Sequence, residues 1–290
     1  IHKTLAPALI GRDVTAQEKL DTVMLELDGT PNQSKLGANS ILAVSIAAIK
    51  AASSTYNLPL FHYLQKRYRP GSNLRIPTPI FNLINGGAHG AGNLDFQEFH
   101  VIPSSRMPYK EALRAGAEIW MSLRDELIHR NAIHSVGDEG GFAPDLFTNA
   151  DALELMSVVI KNSPYRLGLD VFLGLDVAAN GFHKSGVYHI KDSPKPLDRD
   201  GMTQLYLSLV KDYGLLSLED PLDHDDWKGW TELTRVIPES TMVIGDDLIT
   251  TNAARLKQAI EQKACSAVIV KPNQIGTITE TIALLKVAQD

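Results

Sequence analysis

Four apolar stretches in the second half of the chain run straight into charged side chains, and those side chains have chemistry to offer. Val171-Phe-Leu-Gly-Leu ends on Asp176, and Leu215-Leu-Ser-Leu ends on Glu219 and then Asp220. Met242-Val-Ile-Gly ends on Asp246 and Asp247, and Ala267-Val-Ile-Val ends on Lys271. Three carboxylates gathered in one place repel one another unless a cation sits among them. Hard oxygen donors in that number suit magnesium or a similar divalent ion. A lysine ending an apolar strand beside a metal is partly desolvated and faces positive charge, and both effects lower its pKa, as a general base requires. Taken singly, each acidic residue also reads as a helix cap or turn residue, and Lys271 as half of an ion pair.

Two glycine-flanked segments add candidates. Asn85-Gly-Gly-Ala-His89-Gly leaves an apolar run and offers an imidazole in a loop. Gly137-Asp138-Glu139-Gly140-Gly141 holds two carboxylates in a backbone able to approach a ligand closely. Neither has the spacing of a phosphate loop or a dinucleotide fingerprint. Alone, each is weak, and a loop histidine is more often structural than catalytic.

The elements that must position these groups follow from periodicity. Short apolar runs occur at Ile80–Ile84, Phe99–Ile102, Val171–Leu175, Leu215–Leu218, Met242–Ile244 and Ala267–Val270, with helical patterns between the later ones at Met202–Tyr213, Asn252–Gln262 and Thr277–Val287. Strands alternating with helices imply an α/β fold with a parallel sheet and crossover connections, either doubly wound or a (β/α) barrel. In a barrel, the carboxyl ends of the strands open on the face where active sites are built. The first 70 or so residues read as helical. Thr15-Ala-Gln-Glu18 fits a capping box, Asp28-Gly29 a helix stop, and a small-residue-rich helix spans about Ser40 to Ser53. Breakers at Arg69-Pro-Gly-Ser-Asn73 predict a boundary, giving domains 1–73 and 74–290.

Composition narrows the function. A hydrophobic share of 44% and a charged share of 21% suit an ordinary soluble globular protein. A net charge of -6 argues against nucleic acid or an anionic membrane surface as main partner, while leaving a small anionic substrate open. The single cysteine, Cys265, excludes an internal disulfide framework and fits a reducing compartment. No apolar run reaches the roughly 18 residues of a membrane span.

Eight segments then resemble one family, in order. They are Lys35-Leu-Gly-Ala-Asn-Ser-Ile-Leu, Asn85-Gly-Gly-Ala-His89, Gln97-Glu98-Phe99, Gly137-Asp-Glu-Gly-Gly, Leu175-Asp176-Val-Ala-Ala, Leu218-Glu219-Asp-Pro, Asp246-Asp-Leu-Ile-Thr-Thr-Asn and Lys271-Pro-Asn-Gln-Ile-Gly-Thr277. The family is enolase, and the likeness runs through essentially the whole chain. It implies an enolase-type (β/α) barrel opening ββαα, preceded by part of an N-terminal α+β capping domain. It implies a magnesium-dependent lyase that interconverts 2-phospho-D-glycerate and phosphoenolpyruvate in glycolysis and gluconeogenesis. By resemblance Lys271 is the base at C2 and Glu139 the acid that assists departure of the C3 hydroxyl. Asp176, Glu219 and Asp246 are magnesium ligands, and His89, Glu98, Gln97 and Asp246 stand on the substrate side. The resemblance further implies a cytoplasmic homo-oligomer acting on a small molecule, without nucleic-acid or membrane partners.

Asp170, in an earlier Gly-Leu-Asp-Val, precedes its strand and so stands at the wrong end to be a ligand. Where the family reads Ala-Ala-Ser-Glu, this chain has Ala179-Asn180-Gly181-Phe182. The family's mobile N-terminal serine loop, last two barrel strands, His-Arg-Ser-Gly segment and second lysine find no match here, so an incomplete barrel of about six strands is expected. An enolase-like protein kept for binding or structure, or another superfamily lyase or racemase, are the alternatives.

Overall fold

The computed structural model describes all residues except Ala91, Asn93, Asp138 and Asp290. Asp138, one of the two carboxylates singled out in the Gly137–Gly141 loop, therefore lies outside the described residues. The helices are α1 (Leu5–Leu9), α2 (Gln17–Asp28), α3 (Ala38–Thr55), α4 (Leu60–Tyr68), α5 (Tyr109–His129), α6 (Asn149–Lys161), α7 (Arg199–Tyr213), α8 (Trp227–Val236), α9 (Ala253–Gln262), α10 (Pro272–Ile275) and α11 (Ile278–Val287). The strands are β1 (Phe81–Asn85), β2 (Glu98–Pro103), β3 (Val171–Asp176), β4 (His183–Lys184), β5 (Val187–Tyr188), β6 (Ser217–Glu219), β7 (Met242–Gly245) and β8 (Ala267–Val268). Among the described residues, no single helix is long and apolar enough to cross a membrane.

All six apolar runs become strands of one sheet, ordered β1-β2-β3-β6-β7-β8, while β4 and β5 form a small hairpin. One expectation needs correcting, because the sheet is mixed. β2 runs antiparallel to both β1 and β3, whereas β3, β6 and β7 are mutually parallel. Among the described residues of the span from 86 to 97, only Gly87–His89 form a helical turn, too little to carry the chain back over the sheet, and β1 and β2 pair as antiparallel neighbours. The two helices α5 and α6 then connect β2 to β3, which is the ββαα opening.

The chain packs as two compact units, one of residues 76–248 and 262–267, the other of residues 1–75, 249–261 and 268–290. In the first, Leu173, Leu175, Leu218 and Val243 fill the sheet interior, and α5 lies on β1 and β2. Cys265 carries a thiol pushed up to about 11 by burial and by the charge of Asp220, which makes it a poor nucleophile at neutral pH. In the second, Leu5, Met24 and Ile41 form one cluster, and Ile49, Ala52 and Tyr63 another.

Local chemistry sets the helix ends. Gly29, at φ 68, closes α2 as expected. The capping box at Thr15 does not form: α2 starts after Ala16 without a side-chain cap, because Asp13 takes both the backbone N–H and the hydroxyl of Thr15. The true box is at α6, where Thr148 and Asp151 cap each other reciprocally.

Leu218, fully buried at the centre of β6, lies between Leu175 and Val243 on the flanking strands. Leu218→Ala is expected to lower unfolding free energy by about 2–5 kcal/mol in urea titration. Met242→Ala, at a position 37% exposed at the start of β7, should cost less than about 1 kcal/mol. Equal losses would show that β6 is not the packed centre.

Candidate functional site

Strand pairing builds the site before any side chain is considered. Asn85 pairs with Glu98, Glu98 with Asp176, and Asp176 with Glu219. Residues directly opposite share a face of the sheet, so three carboxylates stand side by side across three strands. Asp246 follows the end of β7, whose Ile244 is level with Glu219. Asp176, Glu219 and Asp246 are all buried. Asp170 is at the other end of β3, held by Arg166 at 2.7 and 3.0 Å, so its exclusion holds.

Glu98 is the hub of the row's outer end. One oxygen meets His89 Nδ1 at 3.0 Å, and the other meets His100 Nε2 at 2.8 Å. Glu139 closes the group, with His89 Nδ1 3.3 Å from its Oε2. These residues bring ligand atoms of His89, Glu98 and Glu139 within 4.8 Å of one another. Glu139 reaches this position because its loop is stitched to β1: Asn85 N–H donates to Phe142 O and Phe142 N–H to Leu83 O, both at 2.8 Å. The Trp120 indole also donates to Gly140 O at 2.9 Å. Glycine is needed at Gly137 and Gly141, since a Cβ there would fall 2.6 and 2.5 Å from the Asn85 amide.

The two glutamates are driven apart electrostatically. Burial raises Glu98, but hydrogen bonds with His100 and Glu139, the charge of His100 and a bond to His89 outweigh it and hold Glu98 at about 2. Glu139 moves upward, chiefly through the hydrogen bond it shares with Glu98, then through burial and Glu98's charge. Their shared contact thus moves the two carboxyls in opposite directions, Glu98 down and Glu139 up.

The inner carboxylates Asp176 and Asp220 are shifted upward chiefly by burial. Asp176 is pushed up to about 6, first by burial and then by the charge of Glu98, although Gln97 Nε2 donates to its Oδ2 at 3.0 Å. Asp220 is pushed up to about 7 by burial while its two oxygens accept the backbone N–H groups of Asp246 and Asp247 at 2.9 and 2.8 Å. Asp220, Asp246 and Asp247 form a second close group of ligand atoms. The departure at Asn180 has a job: its amide donates to Asp247 Oδ2 at 3.0 Å, and its carbonyl accepts from His224 N–H at 3.0 Å.

Family models match nearly the entire chain: the enolase N-terminal domain over residues 1–64 and the enolase C-terminal TIM barrel domain over residues 73–290. The chain belongs to the enolase family. The mixed six-stranded sheet with its ββαα opening is accordingly an enolase-type barrel sheet.

Within this enolase fold, His89, Gln97, Glu98, Glu139, Asp176, Glu219 and Asp246 all fall in the unit of residues 76–248. Lys271 belongs to the other unit, where it is the exposed N-cap residue of α10. Sequence reasoning gave no role to Asp220 or His100. The doubled acids Glu219-Asp220 and Asp246-Asp247 were a usable signal for the first. His100 alternates with Glu98 along β2 and so shares its face, which was a usable signal for the second.

A raised carboxyl pKa means that the folded state resists ionisation. Asp176 contributes stability that is complete below about pH 4 and is lost as pH rises through about 6. In chelator, Asp176→Asn should therefore gain on the parent between pH 5 and pH 8, by about 1–3 kcal/mol. Magnesium added at pH 8 should stabilise the parent and erase that advantage. Parallel stability curves for the two proteins would remove the electrostatic account of this row.

Proposed function

We propose that this chain carries the machinery of phosphopyruvate hydratase, the reversible dehydration of 2-phospho-D-glycerate to phosphoenolpyruvate. The observation that supports it best is the Glu98–Glu139 pair, two contacting carboxyls shifted in opposite directions at the end of the carboxylate row. Loss of a C3 hydroxyl needs a proton delivered to the departing oxygen, and a glutamate whose pKa its neighbours raise is suited to that step. His89 contacts both glutamates and so orients the acid. Gln97 steadies Asp176.

A divalent cation fits this donor set. The carboxylates are buried and supply only oxygen, and Asp176 is pushed up to about 6, first by burial and then by the charge of Glu98. Asp176, Glu219 and Asp246 would hold it, with magnesium the natural choice. When bound, it supplies positive charge that stabilises the negative charge developing on the substrate carboxylate. Lys271 removes the C2 proton in this reading, on the strength of family membership and its place after an apolar strand. A cytoplasmic, homo-oligomeric enzyme of glycolysis and gluconeogenesis completes the proposal on family grounds alone.

Two variants separate the steps. In deuterated buffer with magnesium, Lys271→Ala should abolish exchange of the C2 hydrogen of 2-phosphoglycerate, followed by NMR, while magnesium still raises the melting temperature. Glu139→Gln should keep C2 exchange and slow phosphoenolpyruvate formation by about 10²–10⁴-fold, the range of one general acid. Undiminished exchange in Lys271→Ala refutes the base assignment. A chain that exchanges other carboxylate substrates but not 2-phosphoglycerate is a different lyase or racemase of the superfamily.

A further inference from the structure

The turn that carries Lys271 is gripped by an unusual number of buried polar groups, all within the unit of residues 1–75, 249–261 and 268–290. Thr251 Oγ1 accepts the Lys271 backbone N–H at 2.8 Å and donates to Gln274 Oε1 at 2.8 Å. Thr251 is fully buried and sits at φ 54, a conformation that a β-branched residue adopts only when its surroundings force it. Three side chains from the N-terminal helices and their connection hold the residues that follow. Gln33 Nε2 donates to Ile275 O at 2.6 Å, and Ser45 Oγ accepts Ile278 N–H at 3.0 Å. Asp21 Oδ2 accepts the Thr279 N–H at 3.0 Å and its hydroxyl at 2.6 Å. Gln17, itself fully buried, ties Asp21 to Ser45 through its amide at 3.1 and 3.0 Å.

We infer that Asp21, Gln33, Ser45 and Thr251 are positioning residues for Lys271, acting through the backbone of the turn. The inference rests on the reading of Lys271 as the base. Apolar packing of α11 on α2 and α3 would hold that helix without fixing its rotation or axial register. Directional hydrogen bonds fix both, and buried ones are costly to misplace. A shift of one residue along α11 would break the contacts at 275, 278 and 279 together. Gly276 makes the close approach possible: it lies at φ 97, and a side chain there would overlap the Gln33 amide. A base must sit within a fraction of an ångström of its proton, so the grip on the turn bears on rate as well as on stability.

The test uses the whole chain with Thr251→Val, which keeps shape and loses the hydroxyl, Thr251→Ser, which restores it, and Gln33→Leu. The deciding readout is the pH profile of Lys271 acylation by an amine-directed ester, measured by peptide mass spectrometry with Lys257 and Lys286 as internal references. Thr251→Val and Gln33→Leu should shift that profile for Lys271 alone, and amide exchange across 271–281 should speed up about tenfold or more. C2 hydrogen exchange should fall by about 100-fold, with KM for 2-phosphoglycerate little changed. Thr251→Ser should resemble the parent in every readout. A Lys271 profile identical to the parent's in both disruptive variants, whatever their melting temperatures, overturns the positioning role. If the parent itself exchanges no C2 hydrogen, the lyase reading fails instead, and the acylation profile still decides this inference.

Discussion

Pairing register across β2, β3 and β6 is the constraint on which the candidate site depends. Glu98, Asp176 and Glu219 are opposite one another, so a single contiguous row of negative charge is imposed by the same hydrogen bonds that make the sheet. Side chains alternate with period two, and a slip of one residue in β3 would turn Asp176 to the face that holds Leu218 and turn Leu173 and Leu175 toward the row. Apolar packing on one face therefore enforces charge crowding on the other. Like charges directly opposite each other are unfavourable, and the charge of Glu98 adds to burial, the larger cause, in shifting Asp176 upward.

Much of this was legible in the chain because the strands announce themselves. An apolar run ended by Asp, Glu or Lys marks both a buried strand and the end at which its charge emerges, as in four of the six runs, and all six became strands. Strand direction was not legible: alternation is the same read either way, and the antiparallel β2 follows only from how little structure separates it from β1. The Thr15 box failed for a local reason, since Asp13 competes for the same donors two residues earlier. The Glu98–Glu139 contact joins residues 41 positions apart and exists because Phe142 bridges onto β1. No local pattern encodes such a contact. Likewise Asp21, Gln33 and Ser45, three of the partners of the Lys271 turn, come from 233 to 258 residues away.

Some of the strained backbone lies in the segments that leave the strands. Ala178 follows β3 at φ 47, Asp220 follows β6 at φ 42, and Thr250 and Thr251 follow β7 at φ 50 and 54. Such conformations persist only where the surroundings over-determine them. Each of these residues sits within a few positions of a carboxylate or beside the Lys271 turn. Tight left-handed corners let the chain leave the sheet at once, so the charged residues stay at the strand mouth instead of being carried away on a loop.

Asp220 shows how strain and charge are reconciled. Its left-handed backbone and burial both oppose it, yet each of its oxygens is engaged by one N–H, from Asp246 and Asp247. Those two bonds span from the end of β6 to the end of β7 and fix the backbone that presents Asp246. A neutral residue would accept more weakly. Asp220 thus reads as a strut between neighbouring strands, whose negative charge deepens the local field while its geometry holds another carboxylate in place.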